Sequence, residues 1–234
     1  MLEVKKHRQV MFEIITNIYR SSIGNFLGFK GGTMAYFFYG LDRFSVDLDF
    51  DLLDERKITE VTRIVSKILS DYGEIQDKTN KRFTLFWLLN YEKNNRNLKI
   101  EISKRKQEAV RYEIANFYGT DVKISKIEDS FATKLLACTT RNRTAYRDFY
   151  DVYFYLKKGI IPNEAIIKME TDKNLKNYLI YLNKYIQKNV SNHAILSGIG
   201  EFVTEKQKSW IRNHLKNELL NRINFLIDSI PNNH

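Results

Sequence analysis

Residues 44 to 53 read FSVDLDFDLL and alternate without a break. Phe44, Val46, Leu48, Phe50 and Leu52 take one side; Ser45, Asp47, Asp49 and Asp51 take the other. A period of two is the repeat of a β-strand, so this segment is a strand with one apolar face to bury. Its second face carries three carboxylates two residues apart, with neighbours about 6 to 7 Å apart along the strand. Such a row repels itself, and something must compensate for it.

Taken alone, the row has two readings. A strand at a sheet edge carries charge on a solvated face to block edge-to-edge association. Alternatively, Asp47 and Asp49 converge on a divalent cation. Mg²⁺ takes a few carboxylates plus substrate phosphates, and two ions roughly 4 Å apart clamp both oxygens of a phosphoryl displacement. A carboxylate from a neighbouring strand completes such a site, and KIEIS (99–103) offers Glu101 between Ile100 and Ile102. The preceding FKGGT favours the second reading. A strand that runs into Gly31-Gly32 and then a helix presents backbone N–H groups to a phosphate, and Thr33 adds a hydroxyl.

The rest of the chain supplies the frame. Residues 4–20 have helical spacing, FLGF (26–29) is a short buried strand, and Thr33–Tyr39 is a short helix closed by Gly40. Lys57–Leu69 returns to helical spacing. Residues 82–91 and 97–103 form a hairpin across the polar turn EKNNR, and 121–125 is a further strand. After Lys126 only helical segments follow, with a stop at Gly159 and Pro162. The expected class is α+β: a mixed-sheet domain over 1–125, then a helical, bundle-like domain over 126–234 that contributes to the active-site cleft.

A net charge of +10, from 38 basic and 28 acidic residues, favours a polyanionic partner. A Lys-, Asn- and Ile-rich composition of the kind an AT-rich genome encodes accounts for part of that excess. No apolar run is long enough to span a membrane and the N-terminus lacks a signal-peptide pattern, so a cytoplasmic protein without membrane association is expected. The single cysteine, Cys138, permits no intrachain disulfide and reads as core packing. His7, His193, His214 and His234 have no zinc-ligand spacing.

FKGGTMAYFFYGLDRFSVDLDF (29–50) resembles the polymerase-beta-type nucleotidyltransferases, with their Gly-Gly, short helix and Asp-x-Asp. More narrowly it is similar to the AbiEii/AbiGii toxin family, whose Arg-x-Ser-x-Asp-Leu-Asp is matched by Arg43, Ser45, Asp47, Leu48 and Asp49. The likeness continues in KIEIS, DSFATKLLA and RDFYDVYFYL and covers about residues 27–158. The resemblance implies that Gly31, Gly32 and Thr33 hold the triphosphate of an NTP. It implies that Asp47 and Asp49, with Glu101, bind Mg²⁺, two ions in all. Lys134 would pair with the nucleotide phosphates, and Asp148 would complete the site. Arg43 and Ser45 would either order the strand or touch the nucleotide.

Other readings stay open at this stage. Lys134, among Ala132, Leu135, Leu136 and Ala137, also fits a snorkelling lysine. Asp151 shares a helix face with Asp148, and Asp51 reads as solvated. The family implies a toxin of a toxin–antitoxin or phage-abortive (abortive infection) system, an RNA acceptor such as the tRNA 3′ end, and a cognate antitoxin. The rivals are transfer to a small molecule or protein hydroxyl, or an inactive binding module of the same fold.

Overall fold

A computed structural model of the chain describes residues 3–93, 96–106, 108–141 and 144–231. Residues 94 and 95 of the expected hairpin turn, and His234, lie outside the described residues. The chain divides into two compact units, one of residues 1–40 and 44–126 and the other of 41–43 and 127–234.

The first unit is built on a mixed seven-stranded sheet. Its strands are β1 (Leu27–Lys30), β2 (Asp47–Leu52), β3 (Glu74–Asn80), β4 (Thr84–Asn90), β5 (Leu98–Ser103), β6 (Tyr112–Phe117) and β7 (Thr120–Ser125), in the spatial order β3-β4-β5-β2-β1-β7-β6. Strand β2 runs antiparallel to β1 and parallel to β5, which brings the carboxylate row to the centre of the sheet rather than to an edge. The alternation of β2 works as its pattern demands. Leu48 and Phe50 are fully buried, with Phe29, Leu85, Trp87, Ile100 and Ile102 on the same face. Helices α1 (Val4–Arg20) and α3 (Ile58–Ser70) cover that face. Tyr19 of α1 donates to Leu27 O and Lys123 O, and Trp87 Nε1 donates to Ser66 of α3 at 3.0 Å. The short helix α2 (Gly31–Met34) continues into a wide π turn, Ala35–Tyr39, and Gly40 closes it with φ 74°. At the far edge, Tyr118 and Gly119 both adopt positive φ, so β6 and β7 meet in a tight hairpin.

Two strands escape the sequence reading. β3 (EIQDKTN) and β6 (YEIANF) are the two edges, and most of their side chains are exposed or half-exposed. A strand without a buried face has no hydrophobic alternation to display; ladder hydrogen bonds hold it instead.

Among its described residues the second unit has helices and turns but no strand: α4 (Ile127–Thr140), α5 (Tyr146–Lys157), α6 (Glu164–Thr171), α7 (Leu175–Asn189), α8 (Glu205–Trp210) and α9 (Lys216–Ser229). Asn163 and Asn174 cap α6 and α7, and Thr204 with Gln207 forms a capping box on α8. Helix α5 is its core, buried without a break from Asp148 to Leu156. Phe131 stacks on Tyr155 with 5.2 Å between ring centroids, and Tyr178 donates to Leu135 O. Cys138 is buried on α4, where burial pushes its thiol well above the ordinary range. Residues 41–43 belong here because Asp42 is held twice, by Tyr150 Oη at 2.9 Å and through its carbonyl by Gln207 Nε2 at 2.7 Å.

Candidate active site

In the sheet unit, the glycine turn and the carboxylate strand are built against each other. Gly31 has φ 81°, and a Cβ there would lie 2.4 Å from Asp49 Oδ2. Both the backbone angle and the close approach therefore require glycine. Lys30 is the cross-strand neighbour of Asp49 on β1, and Glu101 is its neighbour on β5. Asp47, Asp49 and Glu101 thus share one face of adjacent strands, each half-buried and reachable from solvent.

Thr33 is fully buried. Its hydroxyl, expected to reach a triphosphate, rests against Asp47 O and 2.9 Å from Ser45 Oγ. It ties the first helical turn to the start of β2, and Ser45 is part of that tie. His7 supports the strand from beneath. Its Nε2 lies 2.9 Å from Val46 O, which only accepts, so Nε2 donates, and a neutral ring then accepts from Tyr91 Oη at 2.7 Å through Nδ1. Burial lowers the His7 imidazole, outweighing the Val46 carbonyl and the Asp47 charge.

Asp51 corrects the sequence reading. It is not solvated but 2% exposed, paired with Lys30 and accepting from Tyr112 Oη at 2.7 Å. Gly28 makes this possible. It sits opposite Asp51 in register, and a Cβ there would meet the Tyr112 ring at 2.1 Å. The missing side chain is the slot through which Tyr112 reaches the carboxylate. Lys30 and Tyr112 were missed by sequence reasoning. Lys30 had one visible signal, its place on the same face of β1 as Gly28.

In the helical unit, Lys134 Nζ lies 3.0 Å from Asp148 Oδ1 and 3.0 Å from Asp151 Oδ2. Asp151 also receives both arms of Arg43, Nε at 2.6 Å and an Nη at 2.7 Å. Arg43 is 3% exposed. Of its two expected roles, ordering the strand or touching a nucleotide, the structure shows a buried bidentate ion pair that fits the first. Arg141 Nε stands 2.8 Å from Asp148 Oδ2, near enough for charge pairing but without hydrogen-bond geometry. Burial alone would lower the Lys134 ammonium, but Asp148 and Asp151 outweigh it and hold it above the ordinary lysine value. Burial would likewise raise Asp151, and Arg43 and Lys134 overcome it and hold the carboxyl below its ordinary range. Lys134 is no snorkelling side chain: its charge is aimed inward at two carboxylates.

Among the described residues, no three His, Cys, Asp or Glu groups converge as a complete metal cage. Mg²⁺ does not ask for one, since it takes one or two carboxylates, waters and substrate phosphates. Asp47 and Asp49 are hard oxygen donors on an open face beside the Gly31 turn, and that donor set fits such an ion. No described helix is long and apolar enough to cross a membrane.

Comparison with known proteins bears on the reaction. A search of curated proteins gives no match. Among solved structures, a nucleotidyltransferase candidate from H. pylori superposes with TM-score 0.60 at 23% identity, over 96% of this chain and 97% of that one. JHP933 from Helicobacter pylori gives TM-score 0.59 at 20% identity, over 98% and 97%. An antigenic nucleotidyltransferase-like protein from Paracoccidioides brasiliensis gives 0.50 at 13%, over 88% and 97%. These likenesses establish the fold. The family model described as "Nucleotidyl transferase AbiEii toxin, Type IV TA system" matches residues 14–219, a span that includes the Gly31 turn, the β2 carboxylates and the Lys134 network. The chain belongs to the AbiEii toxin family and is a nucleotidyltransferase.

Proposed function

We propose that the protein moves a nucleoside monophosphate from an NTP to an RNA acceptor, the 3′ end of a tRNA, in a Mg²⁺-dependent reaction in the cytoplasm. We further propose that it acts as the toxin of a pair with a cognate antitoxin. The observation that carries the reading is the register of Asp49 beside Glu101 on one side and Lys30-Gly31 on the other. It puts oxygen donors for a cation next to backbone N–H groups for phosphate.

In this reading Gly31 and Gly32 hold the phosphates through their backbone. Asp47 and Asp49, with Glu101 beside them, would hold Mg²⁺, and the charge the ion would supply there is the kind that offsets the build-up on phosphate oxygens. Lys134 offsets phosphate charge in the same reaction, with Asp148 orienting its ammonium. Thr33, Ser45 and Arg43 position the strand rather than touch substrate. The +10 charge supports a nucleic-acid acceptor, because a small-molecule or protein acceptor has no need of it.

The test incubates the protein with each NTP radiolabelled at the α-phosphate, Mg²⁺ and total bacterial tRNA, followed by a denaturing gel. Label on tRNA from one NTP supports the reading and names the donor. NTP binding with no labelled RNA overturns the RNA acceptor in favour of a small molecule or protein.

A further inference from the structure

The sheet face that carries Asp49 and Glu101 continues outward across β4, and there its character changes. Phe86 is the register partner of Glu101, and Thr84 that of Ser103. Phe86 is half-exposed, with Lys81 Nζ over its ring at 4.9 Å. The turn between β3 and β4 reads KRF (81–83), and the segment leaving β5 reads KRK (104–106). The backbone joins the two: Lys104 N donates to Phe83 O at 2.9 Å. Phe83 is 43% exposed and is flanked by two guanidiniums, Arg82 at 4.8 Å and Arg105 at 5.1 Å. Among the described residues, Lys81, Arg82 and Arg105 form no ion pair, whereas Lys106 is paired with Glu108. Lys104 is directed to Asn80 Oδ1.

An exposed ring, Phe83, and a half-exposed one, Phe86, beside cations that no carboxylate among the described residues neutralises, are the ingredients of a single-strand nucleic-acid platform. Bases stack on the rings and on guanidinium planes while cations take the phosphates. Phe86 lies about 5 Å from Glu101 across the ladder, and Phe83, in the turn before β4, about 10 Å beyond Phe86.

We propose that the open face of β4 and β5 at Phe86, together with its basic rim at the 81–83 turn and the end of β5 (Lys81, Arg82, Phe83 and Arg105), seats the single-stranded end of the RNA acceptor and leads it toward Glu101 and Asp49. This rests on the RNA reading above and adds where the acceptor lies. An acidic protein also suits the cations, but exposed rings set among them favour a partner that has both phosphates and stackable bases.

The test uses the full chain and a fluorescein-labelled oligouridylate of about 12 nucleotides, with affinity measured by anisotropy over a range of salt. The triple variant Lys81→Glu/Arg82→Glu/Arg105→Glu changes only exposed side chains. Losing three phosphate contacts at ~0.7 each makes the slope of log affinity against log salt shallower by about 2. Phe83→Ala weakens binding about 5- to 150-fold, the cost of one stacked base. NTP binding stays as in the wild type in both. Wild-type slope and affinity in the variants overturn the surface, while labelling of tRNA by the wild type leaves the RNA reading standing. No labelling of any RNA by the wild type overturns both. Polyglutamate competing as well as RNA overturns the nucleic-acid assignment in favour of an acidic protein.

Discussion

The two units each hold a set of aspartates, and they treat them in opposite ways. In the helical unit Asp148 and Asp151 are buried, at 0% and 1% exposure, and the chain supplies their cations itself through Lys134, Arg43 and Arg141. In the sheet unit Asp47 and Asp49 stay half-open, with Lys99 the register neighbour of Asp47 and Lys30 that of Asp49; Lys30 is paired with Asp51. A buried carboxylate must be neutralised within the fold, since an uncompensated charge there costs several kcal/mol. A half-open one stays within reach of a cation from solvent. The difference separates a network whose charges are balanced within the fold from a pair that, in the proposed reaction, binds the metal.

The most severe way to break that comparison is to remove one charge from each set without changing shape. Asp49→Asn should lower nucleotidyl transfer by at least ~10³-fold, the loss of several kcal/mol of metal-held charge stabilisation. Its melting temperature should match or exceed the wild type, because a like-charge neighbour of Asp47 and Glu101 has gone. Transfer at the wild-type rate would remove Asp49 from the site. Asp151→Asn should do the reverse to stability: Arg43 and Lys134 keep their charges in a buried place, at a cost of ~3–5 kcal/mol by urea denaturation. A loss under about 1 kcal/mol would show that the network is not what holds that unit together.

Much of this contrast was legible in the sequence, and the illegible part has physical causes. The period of two in FSVDLDFDLL fixed which face of β2 is buried, and GGT followed by DLD pointed to a turn beside a carboxylate strand. Edge strands β3 and β6 were invisible because they bury too little to carry a pattern. The fate of Asp51 was invisible because it depends on Tyr112, sixty-one positions away in the chain, reaching through the gap left by Gly28. Whether Arg43 orders the strand or touches the nucleotide could not be read locally; that it turns to Asp151, 108 positions on, is a fact of tertiary packing that no local spacing encodes. Register between distant strands and the pairing of distant charges are set by the whole fold.

A smaller effect probes the close approach within the sheet unit. Gly31→Ala places a Cβ where Asp49 Oδ2 now lies and asks alanine to hold a positive φ. The angle alone costs ~1–3 kcal/mol, and Asp49 must also shift. Transfer should therefore fall by more than the stability loss explains, measured as kcat at a temperature where the variant remains folded. Equal activity per folded molecule would show that the turn does not set the position of Asp49.

The smallest effect is a difference in acid sensitivity. His7 is buried and neutral beneath β2, and its imidazole titrates below the ordinary value of 6.5. The unfolded chain then binds the proton first, so stability is present above pH 6.5 and is lost as pH falls from there toward the folded value. The slope is at most ~1.4 kcal/mol per pH unit. Asp151 has the opposite environment. Its folded carboxyl lies below the ordinary 3.8, so its contribution persists through that range and disappears only as pH falls through the folded value. Acidification from pH 7 to 5 should thus weaken the support of the carboxylate strand while Asp151 stays charged. In His7→Asn the dependence of unfolding free energy on pH over that range should flatten, and the same measurement on Asp151→Asn should keep the wild-type slope. A slope unchanged by His7→Asn would assign the acid sensitivity to another group and remove pH as a handle on the sheet unit.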